Sequence, residues 1–172
     1  MGHSTHELGE LTELLGRHGV ERLVDVRLNP GSRRLPHFNQ DSLARELPAR
    51  GIGYEHLRGL GGRRRPLPGS PNEGWDSEAF RGYADHMRSA EFLDALEALE
   101  RLARAKPTAI MCAEAVWWRC HRRLVSDALV VRGWSVRHIS ASGSLSDHEL
   151  TPFAVVDGAY LTYPPEQARL DV

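Results

Sequence analysis

The sequence predicts a single α/β domain, a three-layer sandwich with a mainly parallel sheet and helices on both faces. Three observations lead there. Short apolar runs of strand length alternate with longer segments of helical spacing, as in parallel strand–helix units. The 172 residues fall within the usual size of one domain. No internal repeat, low-complexity stretch or linker divides them.

Each element has its own signal. Leu8, Leu11, Leu14 and Leu15 lie at helical spacing, so residues 7–18 read as a helix that Gly19 stops. Residues 22–27 read as a short buried strand. A loop with two prolines follows at 29–40. Asp41 is the expected cap of a second helix, ending near Arg50 before Gly51. Residues 53–57 read as a strand. The loop at 58–75 holds five glycines and three prolines, and a loop of that length in one domain is usually functional or mobile. Serine caps are expected for helices at 77–87 and 89–105. Residues 108–112 form a strongly apolar strand, and 120–132 a helix closed by Gly133. Residues 135–139 read as a last central strand. The remaining stretch, 141–172, reads as an edge strand at 154–163 or a packed tail.

Composition excludes some functions. The apolar fraction of 41% and charged fraction of 26% are ordinary for a globular protein. No apolar run approaches the roughly 20 residues that span a bilayer, and the amino terminus lacks the pattern of a signal peptide. No membrane role and a cytoplasmic location are therefore expected. Two cysteines build no disulfide framework, which fits a reducing compartment. Oligomeric state and cofactor are not legible. A net charge of −1 argues against a polycation. The charge is uneven, however: residues 27–65 hold nine arginines against three acids, while residues 73–100 hold eight acids against two arginines. Such polarity steers anions to one side, although each arginine alone also reads as ordinary solvated surface. The run Arg63-Arg64-Arg65 stands out because it lies in the glycine-rich loop.

Open α/β sheets bind ligands outside the carboxyl ends of their strands. That rule gathers Asp25 and Arg27, then Glu55 and His56, then Cys112 and Glu114, on one edge. The strongest local pattern is Cys112-Ala-Glu114 followed by Cys120-His121-Arg122, a strand end, a loop and a helix start. A helix start favours anions, Arg122 offers a bidentate grip, and the same field lowers a nearby thiol's pKa. Glu114 fits a general base or a ribose ligand. Plainer readings stand beside these. Cys112 and Cys120 read equally as small buried hydrophobes. They also form a redox pair on paper, and with His121 a poorly spaced zinc set; no metal site is expected. Cys112 and Arg119 make C-x6-R, one residue longer than the C-x5-R phosphate loop. Trp117 and Trp118 stack a base or merely cover the loop. Asp25 and Arg27 serve as structural ion partners or face the site. Tyr83 reads as packing.

These residues resemble a known family. His3-Ser4, Asp25-Val26-Arg27, Pro30 with Ser32-Arg33, Phe38, Tyr54 with His56-Leu57, Leu60-Gly61-Gly62, Arg81-Gly82-Tyr83 and the cysteine elements are similar to the domain of unknown function 488 family. The resemblance runs from residue 2 to about residue 140. It implies a compact α/β fold with signature residues round one pocket, and it transfers no reaction. Position by position, it marks His3, Ser4, Asp25, Arg27, Ser32, Cys112, Glu114, Cys120, His121 and Arg122. One departure is visible: the family resembles a chain with a short apolar strand before Gly-His-Ser, whereas here Met1 directly precedes Gly2.

Two functional readings follow. The first is an enzyme, a hydrolase or transferase, acting on a nucleotide, nucleoside or nucleic-acid base. Cys112, Glu114, Asp25 and His121 would do the chemistry, while His3, Ser4, Arg27, Ser32, Arg33, His56, Cys120 and Arg122 bind the ligand. The second is a module without turnover, in which residues 58–65 and Trp117-Trp118 hold nucleic acid or another phosphorylated, anionic ligand.

Overall fold

Four buried leucines, Leu8, Leu11, Leu14 and Leu15, line the inner face of α1 (Leu8–Arg17). Glu7 and Glu10 close a reciprocal capping box at its start. The computed structural model describes residues 1–166. β1 (Arg22–Asp25), α2 (Gln40–Ala49) and β2 (Gly53–His56) follow. The cap of α2 is Asn39, not Asp41. Asp41 instead sits in the first turn, while Asn39 Oδ1 accepts from the Ser32 N–H. The long loop at 58–75 is tied down: buried Asp85 accepts from Leu67 N, Ser70 Oγ and Asn72 Nδ2. Next come α3 (Glu78–His86) and α4 (Ala90–Ala105). Ser89 caps α4 by accepting from Phe92 N, whereas Ser77 holds the cap position of α3 without a side-chain bond. β3 (Thr108–Met111) and α5 (Arg122–Val131) complete the central part.

The three strands form one parallel sheet in the order β2-β1-β3. The register sets Asp25 opposite His56 on one side and Met111 on the other. All three strands therefore end at one edge, which is what brings distant polar residues together. Residues 1–4 extend that edge. Gly2 bridges Cys112 in parallel, His3 N donates to Cys112 O at 2.9 Å, and Ser4 N donates to Ala113 O at 3.1 Å. A Cβ on Gly2 would stand 1.8 Å from Glu114 O, so only glycine allows this approach.

Alternation along β1 divides the core. Leu23 joins the leucines of α1 and α2, together with Phe38 and Met111. Val24 and Val26 join the other cluster, with Phe92 and Leu96 of α4, Leu124 and Val125 of α5, and both cysteines. The expected sandwich is met in this coarser form: a mixed α/β fold with five helices, a three-stranded parallel sheet and small antiparallel hairpins among the described residues.

The expectation for 135–139 is corrected. β4 (Arg137–Ile139) is not in the parallel sheet; it pairs antiparallel with β5 (Leu145–Asp147). A cleft of about 500 Å³, lined by Thr108, Ala109 and Ile110 of β3 and by Arg137–Ile139, lies where a central pairing was expected. β4 satisfies its backbone through its own hairpin instead. At 154–163 the edge-strand reading becomes a hairpin, β6 (Val155–Asp157) and β7 (Tyr160–Thr162). Residues 167–172 of the predicted tail lie outside the described residues.

A buried polar network holds this last third. Asp127, fully buried, accepts from His148 Nε2 at 2.9 Å, Thr151 Oγ1 at 2.7 Å and Tyr163 O–H at 2.8 Å. With its Nε2 proton committed to Asp127, His148 accepts at Nδ1 from His138 Nε2 at 2.9 Å. Asp127→Ala leaves several buried donors unpaired and is expected to destabilise by about 3 kcal/mol. Tyr163→Phe removes one bond and costs about 1 kcal/mol. Denaturant unfolding of both variants measures the difference.

Candidate functional site

Arg27 anchors the edge. Its Nε and Nη2 both reach buried Asp25, its Nη2 also donates to Phe38 O at 2.7 Å, and its Nη1 donates to His3 Nε2 at 3.3 Å. Asp25 accepts further from Arg27 N and from Tyr54 O–H at 3.0 Å. Both Asp25 oxygens are thus engaged behind the pocket, where they position Arg27 and are not free to take a proton from a ligand. Burial, reinforced by the Asp25 charge, pushes the Tyr54 phenol above its ordinary range.

Because an arginine can only donate, His3 Nε2 is the acceptor and its Nδ1 carries the proton, given to Ser4 O at 3.1 Å. The ring stacks on Phe38 with centroids 4.1 Å apart. Burial, with Arg27 adding to it, lowers His3 from 6.5 to about 4. His3 is therefore neutral near pH 7 and forms a wall of the pocket.

β3 delivers Cys112, and the loop behind it delivers Cys120 and His121. The helix expected from Cys120 begins only at Arg122; Trp117–Arg119 form a 3-10 turn and Cys120 is extended (φ −129°, ψ 151°). That correction has consequences. An extended Cys120 turns its thiol towards Cys112, with the sulfurs 2.8 Å apart. His121 Nε2 faces Val26 O at 2.9 Å, a pure acceptor, so Nε2 holds a proton. Nδ1, 3.5 Å from Cys120 Sγ, is then the ring's base and faces the thiol. Gly62 makes room for this ring: a Cβ there would lie 2.7 Å from His121 Nδ1.

The two thiols titrate in opposite directions. The Cys112 S–H donated to the Cys120 sulfur pulls Cys120 well below the ordinary thiol range, with His121 and the Arg122 charge helping. The same bond, together with burial, pushes Cys112 up. The pair titrates as a unit, and of its two thiols Cys120 is the one favoured to ionise first.

Arg122 is not an anion grip. It is 1% exposed, and its Nη2 donates to Glu114 O, bracing the 113–119 loop from below. Glu114 itself is exposed on the rim, with Oε1 accepting from Val116 N at 3.2 Å. The pocket has a volume of about 520 Å³, the size range of small-molecule sites. Of the residues singled out from sequence, His3, Arg27, Ser32, Cys112, Glu114, Cys120 and His121 line it. Asp25, Ser4, His56, Arg33 and Arg122 do not. His56 Nε2 donates to Arg27 O at 2.8 Å from behind, and Arg33 lies on an outer shelf with Pro30 and Asp41. Sequence reasoning left Asn29, Gly62, Phe80 and the cations Arg63 and Arg119 out of the enzyme site, although its binding reading included residues 58–65. Signals existed for two of them, the arginine run at 63–65 and the C-x6-R spacing that ends on Arg119. Phe80 had none. Among the described residues, no group of three or more His, Cys, Asp or Glu side chains is arranged to hold a metal ion, and no helix is long and apolar enough to cross a membrane.

A family profile described as Domain of unknown function DUF488 matches residues 7–129. The chain belongs to the DUF488 family. No curated protein and no solved structure matches it significantly. The DUF488 match covers β1, β2, β3, both cysteines and most of α5, so the thiol site lies inside the family's shared region. His3 lies just before it.

Two outcomes test this geometry. Cys120 should react with iodoacetamide at pH 6 nearly as fast as at pH 8, because its thiolate is lost only when pH falls through its lowered value. An ordinary thiol would be under about 1% thiolate at pH 6. The Gly62→Ala change, by displacing His121, should slow that reaction at pH 6. Stability should also depend on pH. His3 at about 4 and His138, lowered by burial and His148 to about 3, sit below their ordinary 6.5. The unfolded chain takes up these protons first, so stability present above about pH 6.5 is lost as pH falls towards 4. Thermal melts between pH 7 and 4.5 should show a falling midpoint, with a shallower fall in His3→Gln.

Proposed function

We propose that the chain is an enzyme, a hydrolase or transferase, whose substrate is a nucleotide, a nucleoside or a base in nucleic acid. One observation carries this reading more than any other. The Cys120 sulfur, 2.8 Å from the Cys112 sulfur and 3.5 Å from His121 Nδ1, lines a 520 Å³ pocket at the carboxyl edge of a parallel sheet. Holding phosphate alone needs arginines; it does not need a charge-stabilised thiol.

The roles differ from those the sequence suggests. Cys120, rather than Cys112, is the nucleophile, and Cys112 stabilises its charge. Its sulfur attacks the electrophilic carbon or phosphorus of the substrate and the leaving group departs, taking from His121 Nδ1 the proton that this nitrogen accepted when Cys120 ionised. Water, or an acceptor hydroxyl, then displaces the sulfur, with Glu114 on the rim or His121 taking the proton. Arg63 and Arg119, both exposed at the mouth, replace Arg122 as the anion binders. Leu28 and Phe80 offer an apolar wall for a ring. Asp25 and Arg27 keep the strand end in place.

A second reading, binding of nucleic acid without turnover, is favoured by Trp118, which is 54% exposed beside Arg119. Thermal melting with nucleotides, nucleosides and short oligonucleotides separates the two. A ligand at 100 times its Kd should add about 2.7 kcal/mol. The enzyme reading expects a nucleotide-class shift that Arg119→Ala weakens about tenfold or more, then turnover that Cys120→Ser lowers at least about 10³-fold while binding persists. Turnover unchanged in Cys120→Ser overturns it. Binding of oligonucleotides alone, falling steeply with salt and lost in Trp118→Ala, would establish the second reading.

A further inference from the structure

We propose that Cys120 and Cys112 are a peroxide-reactive thiol pair: Cys120 reduces hydrogen peroxide, and Cys112 resolves the product as a disulfide within the chain. The inference does not rest on the proposed turnover, because the disulfide forms whether or not a substrate is processed. If that turnover exists, the disulfide removes its nucleophile and halts it.

Four features of the molecule carry it. The sulfurs stand 2.8 Å apart, and a disulfide requires about 2.05 Å, so closure takes a movement of less than about 1 Å. The segment that must yield is the short stretch between them, in which Ala113, Glu114, Trp118 and Arg119 are exposed. Cys120 lines an open pocket that admits a molecule as small as peroxide. These are also the only two cysteines in the chain, so no third thiol competes for the oxidised intermediate.

The chemistry balances in two steps. The Cys120 thiolate attacks one peroxide oxygen, the O–O bond breaks, and the departing hydroxide takes the former Cys120 proton from His121 Nδ1 and leaves as water. Cys120 is then a sulfenic acid. The Cys112 proton that had been shared with the thiolate is no longer held there, and His121 Nδ1 lies on the Cys120 side to receive it. The Cys112 sulfur attacks the Cys120 sulfur, the S–O bond breaks, and the second hydroxide leaves as water. Two thiols lose two electrons, one peroxide gains them, and two waters form. A dithiol such as dithiothreitol reverses the oxidation. Formation of the disulfide also withdraws Cys112 Sγ as the acceptor for Glu114 N, now at 3.3 Å, and so loosens the rim of the pocket.

The test uses the full chain, reduced and desalted, titrated with hydrogen peroxide. Aliquots are blocked with N-ethylmaleimide under denaturing conditions and weighed by intact mass spectrometry. The expected result is loss of both maleimide adducts at about one equivalent of peroxide, a mass lower by two hydrogens, and full recovery with dithiothreitol. In Cys112→Ser, Cys120 is expected to gain two oxygens irreversibly. In Cys120→Ser, oxidation of the remaining thiol should slow at least tenfold. Serine is nearly isosteric with cysteine, and melting curves confirm that each variant is folded. Two free thiols surviving excess peroxide overturn the proposal. So do dimers linked between chains, or a Cys120→Ser variant that oxidises as fast as the wild type. A disulfide without any turnover, or turnover without a disulfide, distinguishes the fate of this inference from that of the enzyme reading.

Discussion

The ion pair between Asp25 and Arg27 is the constraint on which the site depends. Both side chains are buried, and removing either partner would strand a charge, a loss of roughly 3–5 kcal/mol. Through this pair one guanidinium ties together the end of β1, the carbonyl of Phe38 beyond the following loop, and the His3 ring from the start of the chain. Tyr54 brings β2 into the same cluster. Three segments converge because one planar cation, with its fixed fan of donors, has an acceptor in each, and Tyr54 adds the fourth by donating to Asp25.

A second buried arginine plays the same part on the other side. Arg122 was attractive as an anion ligand because it opens a helix beside two cysteines. Its side chain instead turns inwards and donates to Glu114 O, so its charge acts on the pocket through the loop and the thiols and not by contact with a ligand. The exposed cations of the rim are Arg63 and Arg119. Buried arginines build the pocket and exposed ones face what enters it, a division that follows from the cost of desolvating a charge without partners.

The chemistry then rests on how the loop after β3 ends. Were Cys120 the first residue of a helix, the sulfurs would not meet in this way. A 3-10 turn at Trp117–Arg119 followed by one extended residue brings Cys120 over Cys112 and leaves His121 between Val26 and the thiol. Gly62 and Gly2 are the clearances that permit it, one for the imidazole and one for the backbone of the loop. Two adjoining thiols that titrate as a unit are a reactive arrangement towards electrophiles of either kind, a substrate or an oxidant, and the same geometry underlies both proposals.

Much was legible in the residues themselves. Helical spacing in α1 and α4, the Ser89 cap, the apolar runs of β1 and β3, and the rule that ligands meet the carboxyl ends of parallel strands located the site at Cys112–Arg122 and included seven residues of its lining. These are local patterns or follow directly from strand direction. What pattern could not supply was orientation. Asp25, His56 and Arg122 carry the right chemistry in the right place, yet face backbone carbonyls or each other's neighbours, because buried polar groups take the nearest partner available. The partnership of β4 with β5, the lining roles of Phe80 and Arg63, and the assignment of the thiolate to Cys120 depend on contacts between segments far apart in the chain. Sequence by itself determined the elements, the edge and the set of reactive groups; tertiary structure alone decided which of those groups face the pocket, because that depends on partners that no local pattern contains.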